Sequence, residues 1–151
     1  MKALSASLLL AAALVVTTPA PAGATIDERT LHPDVVFALE AVPGGVALDS
    51  RHAVWPDGME IVVPNPALRA VGACPTARVC AFKSSGATGT MLSWSTCGTH
   101  NTAALATVGS IANARTSGIL QARNGSSVVA MASAGSWTNV FSTVTNVRCL
   151  Q

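Results

Sequence analysis

The sequence predicts an all-β domain, a pseudo-twofold double Greek-key β-sandwich, preceded by an extension with a short N-terminal helix and a β-hairpin. From residue 74 onward, short β-prone runs alternate with glycine-containing turns. The hexapeptide SIANAR at residues 110–115 recurs as TVTNVR at residues 143–148, an offset of 33. Two motifs of about 35 residues that close with one shared pattern are typical of a duplicated Greek key.

Residues 1–24 are predicted to be a secretory signal peptide. Lys2 supplies a positive start, the run LSASLLLAAALVV is too short for a bilayer span, and Ala22-Gly23-Ala24 fits a cleavage site. A signal anchor is the alternative, and Pro19 and Pro21 disfavour it because they break the apolar run. No later apolar stretch approaches membrane length. We therefore expect an extracellular protein with no membrane partner after cleavage.

Residues 25–73 are predicted to form an acidic extension. After Pro33, apolar residues at near-helical spacing run up to Pro43-Gly44-Gly45, which indicates a short helix. The stretch 46–64 then has two β-prone runs around Pro56-Asp57-Gly58, a turn signal that predicts a β-hairpin.

Charge divides the chain sharply. All seven acidic residues precede residue 61, so residues 25–60 carry a net charge of −5 and residues 61–151 carry +6. We expect the acidic extension to fold against the basic module, so that the two fields largely cancel. Because the six cations are spread over residues 61–151 without a basic run, no nucleic-acid partner is expected.

The absence of Asp and Glu from residues 61–151 also argues against an enzyme. A glycosidase needs two positioned acids, and a hydrolytic triad needs an acid to orient its histidine. His32, His52 and His100 stand in no HExxH, GxSxG or Cys-His arrangement. A hydrolase would need an acid from residues 25–60 beside His100. We therefore predict no catalytic residues.

The module at residues 74–151 is predicted to be built from short strands. Its elements, in order, are the strand VCAF at 79–82, the loop KSSGATG at 83–89, the strand TMLSWST at 90–96, the strand ILQAR at 119–123, the turn Asn124-Gly125, the strand SSVVAMAS at 126–133 and the run AGSW at 134–137. Within TMLSWST, alternation places Met91 and Ser93 on one face and Leu92 and Trp94 on the other.

Four cysteines, Cys74, Cys80, Cys97 and Cys149, predict two disulfides in an exported chain. Their spacing contains no CxxC pair, so no structural zinc site is expected. Each bridge contributes about 2–4 kcal/mol, a large share of a small domain's stability.

The segment CPTARVCAFKSSGATGTMLSWSTCG at residues 74–98 resembles the opening of a family of actinobacterial secreted peptidase inhibitors with a βγ-crystallin-like fold, the Streptomyces metalloproteinase inhibitor family. That family has a C-P-x-G-x-x-C start, an aromatic, a glycine seven residues on, and an alternating strand ending near a cysteine. The matching residues here are Cys74, Pro75, Cys80, Phe82, Gly89, Trp94 and Cys97. The resemblance covers residues 74–149 and leaves residues 25–73 outside.

The chain departs from the family pattern at several positions. Ala77 stands where the family has glycine, and Ala87 where an aromatic often packs over the hairpin. Calcium-binding relatives of the fold carry an Asn/Asp pair that Ala106-Thr107 replaces here, and the second copy at residues 138–143 keeps one Asn. Calcium prefers carboxylate and amide oxygens. We therefore predict weak or absent calcium binding, and no metal or other cofactor.

The disulfide pairing is predicted from the first hairpin. If residues 79–82 pair antiparallel with residues 90–96, Cys74 lies near Cys97, which leaves Cys80 for Cys149. The two other connectivities stay open.

The resemblance implies a secreted peptidase inhibitor that presents a rigid loop to an extracellular protease, either a metalloprotease, as in the named family, or a protease of another class. Residues 83–89 and 98–103 are candidate loops, and no inhibitory residue maps from the family. The alternative is a non-inhibitory extracellular or cell-envelope module, because a fold does not fix a function. The sequence leaves the target protease and the oligomeric state open.

Overall fold

The computed structural model describes residues 30–65 and 74–151, and the predicted signal peptide lies outside the described residues. The described part is predominantly β with antiparallel pairing, as predicted. Its elements are α1 (Pro33–Ala41), β1 (Val46–Asp49), β2 (His52–Val54), β3 (Met59–Val62), β4 (Val79–Ser84), β5 (Thr88–Trp94), β6 (Thr99–Asn101), β7 (Ser110–Asn113), β8 (Ile119–Asn124), β9 (Ser127–Ser133), β10 (Ser136–Asn139) and β11 (Asn146–Leu150).

Helix α1 begins where the sequence indicated. Pro33 occupies the first turn, where its missing N–H costs nothing, and His32 Nδ1 accepts a hydrogen bond from the Asp34 N–H at 3.1 Å. Trp55 Nε1 donates to the carbonyl of Val42 at 2.8 Å, which ties the end of the helix to the sheet. Because this start signal lies at residue 33, the helix sits inside the chain and is not N-terminal, which corrects that part of the fold prediction.

The strands form two antiparallel sheets. The larger sheet has the order β1-β2-β3-β5-β4-β7-β10, and the smaller sheet has the order β6-β11-β8-β9. Strand β6 leaves its neighbours in sequence to pair with β11, and β10 leaves its neighbours to pair with β7. In the first half, β4 to β7, strand β6 therefore belongs to the smaller sheet. In the second half, β8 to β11, strand β10 belongs to the larger sheet.

The extension at residues 25–73 adds strands to the larger sheet. The predicted hairpin forms around residues 56–58, with Ala53 opposite Ile61, and a second reversal at residues 50–51 adds β1. Strand β3 then pairs with β5, placing Ile61 opposite Leu92. The described part of the extension therefore shares a sheet with the cysteine module.

The main core lies between the two sheets and beneath α1. Leu92 and Ile111 from the larger sheet, Leu120 and Val147 from the smaller sheet, and Val35 from the helix are all fully buried in one cluster. Full burial of an aliphatic side chain of this size stabilises a fold by about 1.5–3 kcal/mol. The core therefore depends on contacts between segments far apart in the sequence.

A second cluster lies on the outer face of the larger sheet, where the turn between β4 and β5 folds over. Phe82, Met91 and Ala112 pack there beneath Ala87. Ser110 Oγ, fully buried, accepts from the Ala87 N–H at 2.9 Å and donates to the Ser84 carbonyl at 2.6 Å. The alternation predicted for β5 is confirmed, since Leu92 and Trp94 face the main core and Met91 faces this cluster.

Two residues in this region hold a left-handed backbone without being glycine. Ala77 has a φ of 66° and Ala87 a φ of 53°, and both are among the departures from the family pattern noted above. A Cβ disfavours this conformation by about 1–2 kcal/mol. The turn before β4 and the turn after it are therefore held in place by their surroundings.

The predicted disulfide pairing is wrong. The structure joins Cys74 to Cys80 and Cys97 to Cys149, with Cα–Cα distances of 5.8 and 5.0 Å. The strand pairing behind the prediction is present, with Val79 opposite Trp94. However, the chain before β4 turns back at residues 75–78 and places Cys74 over Cys80.

The second bridge follows from the strand exchange between the sheets. Cys97 leads into β6, which joins the smaller sheet beside β11, and the Cys149 N–H donates to the Gly98 carbonyl at 2.8 Å. Cys97 therefore moves away from the start of β4 and meets Cys149.

The repeated hexapeptides close the two halves, but their residues do not occupy equivalent positions. Asn113 ends β7, is fully buried and lies opposite Val79 at the start of β4. Asn146 begins β11, is half-buried and lies opposite Arg123 near the end of β8. The repeat predicts equivalent environments for Asn113 and Asn146 in two equivalent Greek keys, and this prediction is wrong because the two strands pair in different registers.

No helix in the described part of the chain is long and apolar enough to cross a membrane.

Candidate functional site

The first candidate loop, residues 83–89, is fixed against the sheet. Lys83 Nζ lies 2.6 Å from Asp34 Oδ1, the Gly86 N–H donates to Asn139 Oδ1 at 2.7 Å, and Ala87 is buried. Residues 83 and 84 belong to β4, and residues 88 and 89 to β5. This segment is therefore a folded-over turn in which Ala87 is buried and only Ser84, Ser85 and Thr88 are exposed.

The second candidate loop, residues 98–103, consists largely of a strand. Thr99–Asn101 forms β6 at an edge of the smaller sheet, paired with β11. The His100 ring stacks on Trp94 with centroids 5.1 Å apart, and His100 Nε2 lies 3.0 Å from the Thr96 carbonyl. These contacts give His100 a packing role.

A different loop carries the most exposed large hydrophobic residue of the described surface. Residues 141–144, named here the Phe141 loop, connect β10 to β11 without regular structure. Phe141 is 90 % exposed, more than any other large hydrophobic residue described, and Ser142 and Thr143 are exposed beside it. An aromatic side chain held in solvent loses the stabilisation that burial would give, so the fold gains nothing from its placement.

Both ends of the Phe141 loop are anchored. On the N-terminal side, Val140 is buried in the main core, and its N–H donates to the Gly109 carbonyl at 2.9 Å. On the C-terminal side, Thr102 Oγ1 donates to the Val144 carbonyl at 3.2 Å, and the Thr145 N–H donates to the Arg123 carbonyl at 2.9 Å.

Further contacts restrict the C-terminal anchor. The Gly125 N–H donates to Thr145 Oγ1 at 2.8 Å, and Val144 packs against the main core. The loop contains no glycine or proline, and its threonine and valine are β-branched and stiff at χ1. The loop is therefore exposed between two anchored ends.

Sequence reasoning missed the Phe141 loop. The sequence TNVFSTVT offered one signal, a single aromatic between hydroxyl residues in a stretch without a turn motif. That pattern is equally typical of a strand with one aromatic on its buried face. Only the packing of Val140 and Val144 shows that Phe141 points outward.

A groove of about 450 Å³ lies between the Phe141 loop and the connection before β7, which contributes Ala106, Thr107 and Val108. It includes the positions compared above with calcium ligands. Its side-chain oxygens come from threonine and serine hydroxyls, and none of the lining residues is a carboxylate or an amide. Hydroxyl oxygens are weaker calcium ligands than carboxylate or amide oxygens, and weak or absent calcium binding stays a prediction. The described residues include no group of three or more His, Cys, Asp or Glu side chains suited to a metal ion.

Two ion pairs between described residues join the acidic extension to the basic module. Lys83 pairs with Asp34, and Arg78 Nη1 lies 3.2 Å from Glu60 Oε1. Arg78 Nε also donates to Ser93 Oγ at 2.9 Å, so this guanidinium, from the residue before β4, contacts both β3 and β5. The opposite charges of the two halves therefore meet at these contacts, as the charge division led us to expect.

Asp34 is the best-connected carboxylate of the extension. Burial acts to raise the pKa of Asp34, but the hydrogen bonds from Lys83 and Thr90, with the charge of Lys83, outweigh burial and hold that pKa below its ordinary value of 3.8. The ionised form is thus favoured in the folded protein.

A smaller cavity of about 300 Å³ lies on the outer face of the larger sheet, beside the Cys74–Cys80 bridge. Trp137, 52 % exposed, forms one wall, and Ala112 and Ser136 contribute to the rest. This is a second exposed aromatic, on a different surface from Phe141.

The fold and the site define a class of molecule, a two-sheet antiparallel β-sandwich cross-linked by two disulfides. It carries an exposed aromatic residue on a loop that is anchored at both ends. Comparison with protein-family models, curated proteins and solved structures finds no significant match for the chain.

Proposed function

We propose that this protein is a secreted peptidase inhibitor that binds an extracellular protease through the Phe141 loop. The observation behind the proposal is the combination of a 90 % exposed Phe141 with hydrogen-bonded anchors at Val140 and Thr145. Binding a flexible loop costs about 0.5–1.5 kcal/mol for each side chain that must be ordered. A loop already held in one conformation avoids much of that cost and resists the rearrangement that productive cleavage requires.

The strand order supports a crystallin-like double Greek key as the scaffold. The four strands β5-β4-β7-β10 and the four strands β9-β8-β11-β6 follow the same plan, in which the third strand of each half crosses to the other sheet. The fourth strand of each half returns beside the first, as in a Greek key. This arrangement agrees with the family resemblance of residues 74–98.

The disulfides support an extracellular location. All four cysteines of the chain are bridged, and such bridges persist in oxidising compartments. Together with the predicted signal peptide, they favour secretion.

Titration against a panel of metallo- and serine proteases tests the proposal. The mature protein at increasing molar ratio should reduce the residual activity of at least one protease linearly to zero near one equivalent. Digestion of the folded protein by every protease in the panel, with no loss of protease activity, would contradict it.

A non-inhibitory extracellular or cell-envelope binding module is the second candidate function, and the exposed Trp137 beside its cavity favours it. A tryptophan on an open sheet face supplies a large rigid contact area for a partner. Co-sedimentation with cell-envelope fractions that is lost in Trp137→Ala and kept in Phe141→Ala would support this candidate over inhibition.

A further inference from the structure

We infer that Phe141 fills the primary specificity pocket of a serine protease that cleaves after large aromatic residues, and that the peptide bond between Phe141 and Ser142 is the one presented for attack. This inference rests on the proposed function and names the partner class of the same loop. It also assigns a role to the Cys97–Cys149 bridge.

The burial of neighbouring residues selects the bond. A serine protease binds the side chain on the acyl side of the scissile bond in its primary specificity pocket. Phe141 is 90 % exposed and Ser142 follows it in solvent, so this bond has accessible residues on both sides. Val140 is only 6 % exposed, and its N–H is bonded to Gly109, so the bond before Phe141 has a buried acyl side.

The same argument separates two classes of protease. A peptidase that recognises the residue after the scissile bond would place Phe141 in its pocket only by cutting between Val140 and Phe141. That would require Val140 to leave the main core, at a cost that the bond after Phe141 avoids. The geometry therefore favours a protease of the chymotrypsin or subtilisin type.

The Cys97–Cys149 bridge determines what happens after cleavage. A cut after Phe141 separates residues 142–151 from the rest of the backbone. Cys149 lies within that piece and stays covalently joined to Cys97. Strand β11 also keeps its pairing with β6 and β8, so the new amino group of Ser142 stays near its former partner.

Cleavage of the bond between Phe141 and Ser142 is reversible while the new amino group stays near the protease. The protease serine oxygen attacks the Phe141 carbonyl carbon, the C–N bond to Ser142 breaks, and the serine proton passes through the protease histidine to the Ser142 nitrogen. The products are an ester on the protease and a tethered amine. Because the amine is held close, it attacks the ester, remakes the peptide bond and returns the proton to the serine oxygen before water intervenes.

Inhibition constants against chymotrypsin, subtilisin, trypsin and thermolysin test the specificity. The unaltered protein should inhibit chymotrypsin or subtilisin, and Phe141→Ala should weaken that inhibition by about 30-fold or more, the effect of losing a hot-spot side chain. Phe141→Lys should transfer inhibition to trypsin. Trp137→Ala, which removes an exposed aromatic on another face, is the matched control and should inhibit as the unaltered protein does.

Mass analysis of the unaltered protein after long incubation with chymotrypsin tests the role of the bridge without any variant. The cleaved protein should gain the mass of one water without reductant and release residues 142–151 only after reduction. Cys97→Ala/Cys149→Ala should inhibit temporarily and then be consumed, whereas Cys74→Ala/Cys80→Ala should inhibit persistently. Circular dichroism at the assay temperature establishes that both variants are folded.

The outcomes distinguish this inference from the proposed function. Inhibition of thermolysin alone, weakened by Phe141→Ala, would overturn the inference and leave inhibition through the Phe141 loop standing. Inhibition of chymotrypsin that Phe141→Ala leaves unchanged would overturn the inference and the assignment of the Phe141 loop, and would leave only inhibition through another surface. Release of residues 142–151 without reduction would overturn the role of the bridge. Inhibition of no protease by the unaltered protein would overturn both proposals.

Discussion

Removing one disulfide at a time gives the sharpest test of the fold. The two bridges close very different loops, with sequence separations of 6 for Cys74–Cys80 and 52 for Cys97–Cys149. The chain-entropy relation gives about 2.4 kcal/mol for the short loop and about 4.2 kcal/mol for the long one. Replacing both cysteines of the long loop by alanine should therefore cost about 1.8 kcal/mol more than replacing both cysteines of the short loop.

The comparison is well matched because the truncations are alike. Each bridge joins a buried cysteine, Cys80 or Cys149, to a half-buried one, Cys74 or Cys97. The loss of side-chain packing should therefore be similar in the two double variants, and the difference between them reports the closed loop.

Urea unfolding followed by circular dichroism measures both free energies of unfolding. Peptide mapping without reductant checks the connectivity in the same samples. A larger loss of stability for the Cys74/Cys80 variant, or a peptide joining Cys80 to Cys149, would refute the reasoning.

Two further predictions concern the region that connects the extension to the module. The pKa of Asp34 is lower in the folded protein than its ordinary value of 3.8, so the stability that its ionised form contributes is fully present above that pH and is lost as the pH falls through the lower, folded pKa. The Asp34→Asn variant should therefore lose less stability than the unaltered protein between pH 5 and pH 2. Acid unfolding followed by tryptophan fluorescence measures this loss, and parallel curves for the two proteins would contradict the prediction. Ala77→Gly should raise the free energy of unfolding by about 0.5–1 kcal/mol, because glycine removes the left-handed strain at φ 66° and this gain exceeds the entropy that glycine adds to the unfolded chain. Ala103→Gly, at a position without a positive φ, is the control and should lose about 0.4–1 kcal/mol; equal urea midpoints for the two variants would refute the strain argument.

The anchored loop and the long disulfide belong to one functional proposal. A protease inhibitor must survive cleavage as well as bind, and the bridge retains residues 142–151 whether or not the loop is cut. Bridge removal should therefore affect stability and persistence of inhibition together, while removal of the Phe141 side chain should affect inhibition alone. That separation is measurable with the variants already named.

The sequence predicted local elements well because their signals are local. Pro33 and the near-helical spacing after it marked α1, and Asn124-Gly125 marked the turn between β8 and β9. Alternation in β5 sorted Leu92 from Met91 between the two faces. Each of these signals depends on residues within a few positions of one another.

The disulfide pairing and the exposed loop could not be predicted in the same way. The predicted pairing assumed that the chain before β4 is extended, whereas the turn at Ala77 reverses its direction and brings Cys74 to Cys80. The prediction also assumed that residues 83–89 form an exposed loop, whereas Ser110, 23 residues away, hydrogen-bonds the Ala87 backbone. The first error comes from a short turn whose left-handed residue, Ala77, is not a glycine, and the second comes from a contact between distant segments.

What the sequence by itself determined is the all-β character, the position of the helix, most turns and the division of charge, since backbone preference and side-chain periodicity are properties of short segments. The tertiary structure alone decided which strands change sheets, which cysteines meet and which loop faces solvent. Those outcomes depend on how two sheets pack against one core, where Val140 is buried, Val144 packs partly buried and Phe141 between them is left in solvent. The candidate site therefore follows from the packing of the whole domain.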